Sequence, residues 1–176
     1  MAAWAPPVPR PAMSHPPPFR VVFVCMGNIC RSPTAHGVFR EKLRLAGLAH
    51  RVHVDSAGTH DYHPGEPPDP RSQRHARRRG YDLSDLRARC LRPADFEQAD
   101  LLLVMDDANL AAGLETCPPV HRAKLRKLVS FCAARVADAV PDPYYGGEAG
   151  FEHVLDLVED ACDGLIEHLR RQWEAG

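Results

Sequence analysis

The chain has 176 residues, a length suited to one domain with a real hydrophobic core. Its 22 Lys and Arg against 23 Asp and Glu leave a formal net charge of −1, which argues against a global field for nucleic acid or an anionic membrane surface. No apolar run approaches the ~20 residues of a membrane span, and without a secretory signal the six cysteines are expected as thiols in a cytoplasmic protein.

Residues 1–18 are crowded with proline (Pro6, Pro7, Pro9, Pro11, Pro16, Pro17, Pro18) and show no periodicity. That composition predicts an extended or disordered N-terminal extension, leaving 19–176 for the domain. The first strand is predicted over 19–25, ending at Cys25. A short loop, Met26-Gly27-Asn28-Ile29-Cys30, then leads to Arg31-Ser32-Pro33 and an amphipathic stretch through 47, with Ala35, Val38, Phe39, Leu43 and Ala46 on one face. Strand, turn and helix start in this order aim backbone N–H groups and a helix dipole at one point. Such a point suits a bound phosphate, and its field favours a thiolate over a thiol.

Each loop position has a physical reason. Gly27 and Asn28 tolerate positive φ. Arg31 offers a planar fork for two phosphoryl oxygens. Ser32 reads as an N-cap and Pro33 as the first helical residue, and the Ser32 hydroxyl could donate to the Cys25 sulfur. Zinc bound by Cys25, Cys30 and His36 is disfavoured, because no second pair of closely spaced ligands follows.

A second strand is predicted over 51–57, with Val52 and Val54 alternating. Past a Gly/Pro-rich loop come a helix over 70–80 closed by Gly80, a helical turn over 93–98, and a continuous apolar strand over 101–105. A helix over 106–114 follows, with Asp106 and Asp107 as its N-terminal residues, and the last strand is predicted over 127–131. The final helix, from about 150, carries Phe151, Val154, Leu155, Val158, Cys162, Leu165, Ile166 and Leu169 at helical spacing. The alternation predicts an α/β fold: a small doubly wound four-stranded parallel sheet with helices on both faces and a phosphate-binding loop after the first strand. Arg71, Arg74, Arg77, Arg78, Arg79, Arg87, Arg89 and Arg92 form a basic stretch that reads as a solvated face. Asp142, fixed ahead of Pro143, reads either as a general acid or as ordinary turn chemistry.

Cys25-Met26-Gly27-Asn28-Ile29-Cys30-Arg31-Ser32-Pro33 resembles the signature loop of the low-molecular-weight protein tyrosine phosphatases, and Asp55-Ser56-Ala57-Gly58-Thr59 and Asp142-Pro143-Tyr144-Tyr145-Gly146 agree with it in order. The resemblance implies a cytoplasmic enzyme, free of metal and cofactor, that hydrolyses phosphotyrosine in protein substrates and other aryl phosphates through a cysteinyl-phosphate. A monomer or weak dimer is expected, with no nucleic-acid or membrane partner. By carry-over, Cys25 is the nucleophile, Arg31 the phosphate clamp and Asp142 the acid and later the base. Asn28 holds the loop's shape with a bond from Ser56, and Met26, Ile29, Tyr62, Tyr144 and Tyr145 line the cleft. Cys30 reads either as a disulfide partner for Cys25 on oxidation or as a packed thiol. Two departures stand out: His36 where relatives carry Glu, and Asp85-Leu86 where relatives place a histidine toward the loop asparagine.

Three other functions compete. An arsenate reductase needs a further cysteine pair, and Cys90 has no near partner in sequence. A protein-arginine phosphatase resembles a loop with threonine where Ile29 stands. A binding module with a dead site is disfavoured, because Cys25, Arg31 and Asp142 are all present.

Overall fold

The computed structural model describes residues 16–176. Of the proline-rich extension expected over 1–18, everything before Pro16 lies outside the described residues. The chain runs β1 (Phe19–Cys25), α1 (Arg31–Leu45), β2 (Val52–Gly58), α2 (Pro70–Arg78), α3 (Pro93–Gln98), β3 (Leu101–Val104), α4 (Asp107–Thr116), β4 (Leu125–Lys127) and α5 (Glu148–Ala175). The strands form one parallel sheet in the order β2-β1-β3-β4. The order reverses beside β1: the chain first steps outward to β2, then returns to lay β3 on the other side. In open parallel sheets the carboxyl ends of strands flanking such a reversal frame the ligand crevice. Here those ends are Cys25 on β1 and the residues just after Val104 on β3.

Both sheet faces are buried, which explains why β1 and β3 read as unbroken apolar runs instead of alternating ones. Val21, Phe23 and Cys25 face the larger core with Leu101, Leu103 and Met105, under the α1 and α5 residues Phe39, Leu43, Leu155 and Leu165. Val22 and Val24 face a smaller core with Leu102, Val104, Phe96 and Leu125. The predicted four-stranded doubly wound sheet is the one observed.

Several boundaries differ. The last strand is Leu125–Lys127, and 128–131 is a 3₁₀ turn. Leu128, Val129 and Phe131 are buried as their composition demands, but against α5. Gly164 lets α5 approach so closely that a Cβ there would lie 1.8 Å from the Phe131 carbonyl oxygen. Burial was legible in that apolar run, and the element type was not. Gly80 ends α2 as expected, with φ 91°.

The basic stretch is only partly a solvated face. Arg77 and Arg78 are exposed, whereas Arg79 pairs with Glu152, Asp156 and Glu159 on α5, Arg74 with Glu148, and Arg89 with Asp95 and Asp55. These guanidiniums fasten α2 and the segment after it to the rest of the fold, so charge runs in sequence became cross-links in space.

Candidate active site

Cys25 closes β1 with its side chain buried. The loop that follows carries Asn28 at φ 57°, the one non-glycine residue with positive φ among the described residues. Gly27 does not share that conformation, contrary to the expectation from sequence; its lack of a side chain leaves room for His63, whose Cδ2 would sit 3.1 Å from a Cβ. The N–H groups of Gly27, Asn28, Ile29 and Cys30 donate to no protein acceptor among the described residues. They remain available to an anion in front of the α1 N-terminus.

The helix begins at Arg31, not at Pro33, so Ser32 is no N-cap. Thr34, within the first turn, donates both its hydroxyl and its N–H to the Cys30 carbonyl. Ser32 is instead committed to the loop. Its oxygen lies 3.0 Å from Cys25 Sγ and accepts from Asn28 Nδ2 at 2.7 Å. A hydroxyl has one proton, and with the amide donating into its lone pair that proton is free for the sulfur. Asn28 Oδ1 in turn accepts from Arg89 N at 3.1 Å. The Arg89 side chain grips both Asp95 oxygens at 2.9 Å and Asp55 at 2.8 Å, fixing the peptide that does this. Backbone bonds complete the frame, from Thr59 N to the Cys25 carbonyl, His60 N to that of Met26 and Asp69 N to that of Ile29.

Ser56 does not bond Asn28. Its hydroxyl lies 3.0 Å from His36 Nδ1. Burial, then the nearby Arg40 charge, pushes the His36 imidazole down to about 4, against the weaker opposing pull of Asp55 and Asp85. Asp85 forms a two-pronged pair with Arg40, and Leu86 is buried in the core, so neither reaches Asn28. The Arg89 N–H supplies the donor instead.

Arg31 is only 2 % exposed. Its Nη1 lies 2.5 Å from Asp106 Oδ2 and 3.1 Å from the Val140 carbonyl oxygen, and its Nη2 lies 3.7 Å from Asp142 Oδ2. Asp106 caps α4 through Oδ1, which accepts from Asn109 N at 2.8 Å, as the sequence predicts. Its second role, steering Arg31, is the residue assignment that sequence reading misses. The available signal was its place at the carboxyl end of the strand beside β1. Asp142 is 40 % exposed on the far side of the cleft, and its Oδ1 accepts from Tyr144 N at 3.0 Å.

These groups enclose a cleft of about 340 Å³. Cys25, Met26, Gly27, Ile29, Cys30 and Arg31 line it together with Asp142, Tyr144 and Tyr145. Tyr62 completes the rim, stacked on His60 at 5.0 Å, together with His63, which sequence reading did not single out and which pairs with Glu66. Asn28, Ser32 and Ser56 stand behind the loop, buried. Burial, with Asp69 nearby, pushes the Cys30 thiol up to about 12, leaving it a neutral neighbour. Among the described residues no cluster of His, Cys, Asp and Glu is placed to hold a metal ion, and no helix is long and apolar enough to cross a membrane.

The family described as "Low molecular weight phosphotyrosine protein phosphatase" matches residues 20–175. A low molecular weight protein-tyrosine-phosphatase of Streptomyces coelicolor is 46% identical over 160 residues, covering 89% of this chain and 96% of the relative. The human low molecular weight phosphotyrosine protein phosphatase is 37% identical over 153 residues, covering 84% and 93%. The crystal structure of a protein tyrosine phosphatase from Entamoeba histolytica superposes with a TM-score of 0.85 at 40% identity, covering 88% of this chain and 98% of that one. The chain therefore belongs to the low-molecular-weight phosphotyrosine protein phosphatase family, a class of phosphoric monoester hydrolases.

Proposed function

We propose that the protein hydrolyses phosphotyrosine in protein substrates, and aryl phosphate monoesters generally, through a cysteinyl-phosphate intermediate. The observation that carries this reading is the placement of Cys25 Sγ, 3.0 Å from the Ser32 hydroxyl, at the base of a cleft walled by Arg31 and Asp142.

In the first step the Cys25 thiolate attacks phosphorus in line with the phenolic oxygen, forming the S–P bond as the P–O bond breaks. The unpaired loop N–H groups and Arg31 take up the equatorial oxygens, and Ser32 donates to sulfur. Asp142 gives its proton to the departing phenolate, a contribution of ~10²–10⁴-fold for general acids. The choice of Asp142 over Asp106 is geometric. Both Asp106 oxygens are engaged, by Arg31 and by Asn109 N, whereas among the described residues Asp142 Oδ2 has no partner nearer than Arg31 at 3.7 Å. In the second step Asp142 takes a proton from water, which attacks phosphorus and returns the thiolate. Ile29, Tyr62 and Tyr144 offer apolar walls to an aromatic ring, which favours aryl phosphate over phosphoarginine. A nucleophilic thiol of this kind is suited to a reducing cytoplasm.

The test is p-nitrophenyl phosphate hydrolysis in EDTA by wild type, Cys25→Ser and Asp142→Ala. Chelator-resistant turnover, abolished by the first substitution and cut by the second, is expected. Robust turnover by Cys25→Ser would sink the scheme.

A further inference from the structure

We propose that Arg71 is a positioning residue for the general acid, setting Asp142 through the peptide of Tyr144. The inference rests on the reading of Asp142 given above and assigns a part of the machinery that lies outside the cleft lining.

The Tyr144 backbone is gripped from both ends. Its N–H donates to Asp142 Oδ1 at 3.0 Å, and its carbonyl accepts from Arg71 Nη2 at 3.0 Å. Among the described residues, the second of these is the one hydrogen bond that reaches the segment 141–146 from another element. The turn's remaining bond, Gly146 N to the Pro143 carbonyl, is internal. Without Arg71 the acid loop would keep its local shape and lose its hydrogen bond to α2.

Arg71 is itself fixed. Asp69 caps α2 by accepting from Arg71 N at 2.8 Å, and its two oxygens take Arg71 Nε at 3.1 Å and Nη2 at 2.9 Å. Burial pushes the Asp69 carboxyl up, but the bonds from Arg71 outweigh it and hold the group below the usual carboxylate range. The guanidinium also lies 4.8 Å from the centre of the Phe151 ring on α5, within cation–π range. At the other end, Asp69 N donates to the Ile29 carbonyl at 2.8 Å. The path Ile29, Asp69, Arg71, Tyr144, Asp142 thus ties the loop that holds the phosphate to the loop that holds the acid. With its charge already matched by Asp69, Arg71 acts by geometry and not as an added cation for substrate.

A misplaced acid hurts poor leaving groups most, because good ones depart without a proton. The experiment compares kcat/KM for phenyl phosphate and p-nitrophenyl phosphate in wild type, Arg71→Ala, Arg71→Lys, Asp142→Ala and the Arg71→Ala/Asp142→Ala double variant. Thermal melting and inhibition by inorganic phosphate are followed in parallel. Arg71→Ala is expected to lose about 10-fold on phenyl phosphate and no more than about 2-fold on p-nitrophenyl phosphate, with phosphate inhibition unchanged within about 2-fold. Arg71→Lys should recover part of the loss, and the double variant should be no worse than Asp142→Ala. Equal losses on both substrates, or a full Arg71 effect persisting in the Asp142→Ala background, overturn the inference and leave the acid assignment standing. If Asp142→Ala itself shows no leaving-group dependence, the acid assignment has failed and the inference falls with it.

Discussion

Asp106 holds Arg31 and the N-terminus of α4 at once: Oδ2 meets Arg31 Nη1 at 2.5 Å while Oδ1 accepts from Asn109 N at 2.8 Å. One carboxylate therefore orients the phosphate clamp from the end of β3, across the sheet's reversal point, and is itself oriented by the helix it caps. The arrangement converts the topological crevice into a site, because the guanidinium on one strand's loop is aimed by the neighbouring strand's loop.

Replacing Asp106 by Asn tests this division of labour. Asparagine is as good an N-cap as aspartate, so α4 should keep its start. The nearly buried Arg31 charge, however, loses its nearest counter-ion and keeps Asp142 at 3.7 Å. Breaking a fully buried pair costs ~3–5 kcal/mol, and with Asp106 partly solvated the expected loss is about 2–3 kcal/mol. Urea unfolding should show that loss, with kcat/KM down by about 10-fold or more from a misaimed clamp. Unchanged stability and kinetics would mean that the Val140 carbonyl and Asp142 suffice to aim Arg31.

Asn28 combines two demands, positive φ and a side chain bonded to Ser32 and to Arg89 N. Asn28→Ala fails both, whereas Asn28→Gly fails only the second. The left-handed conformation costs an L-residue roughly 1–2 kcal/mol, and Asn and Gly are the types that bear it best. The Gly variant should therefore be more stable than the Ala variant by about 1 kcal/mol, while both lose turnover because Ser32 is no longer held toward Cys25. Equal stability of the two variants would show that the backbone of the loop relaxes.

Much of this architecture was legible in sequence because local pattern and burial agree there. β1 and β3 read as buried strands, α5 as an amphipathic helix, and the Cys25–Arg31 loop as an anion cradle. What was not legible involves partners chosen by tertiary structure. Ser32 meets Cys25 as its chemistry allows, but the Asn28 amide that occupies the same hydroxyl was not foreseen, and the helix starts at Arg31, two residues before Pro33, so Ser32 is no cap. Leu128 to Phe131 carry the composition of a strand but bury themselves against α5. Asp106 announces a helix start, and nothing local announces Arg31 from 75 residues away. His63 reached the cleft rim only because Gly27 leaves it room.

His36 makes stability depend on pH in a defined direction. Its folded pKa, about 4, lies below the unfolded value of 6.5, so the unfolded chain binds more protons between these limits. Stability is then complete above about pH 6.5 and falls as pH drops toward 4, by on the order of 3 kcal/mol over the window. Arg40 reinforces the shift, and Asp55 and Asp85 oppose it. His36→Gln, which keeps a polar group for Ser56 but cannot charge, should flatten this part of the profile. The measurement is denaturant unfolding of both proteins from pH 4 to 7; parallel curves would rule out His36 as the cause.

Gly58 supplies the sharpest steric prediction. At the end of β2 it runs beneath the phosphate-binding loop, where a Cβ would lie 2.8 Å from the Met26 carbonyl oxygen and 3.1 Å from the Gly27 carbonyl carbon. Both are backbone atoms, so no side chain can swing aside, and the loop or the strand must move. The strand is the stiffer of the two: Gly58 N donates to the Arg89 carbonyl and Leu91 N to the Gly58 carbonyl, beside a parallel pairing with Cys25. The loop should therefore yield, carrying its N–H groups away from the phosphate. Gly58→Ala is expected to weaken inhibition by inorganic phosphate and to lower kcat/KM by about 10-fold or more, the scale on which small misplacements act. A large fall in melting temperature with phosphate binding intact would instead show that β2 had moved and the loop had held.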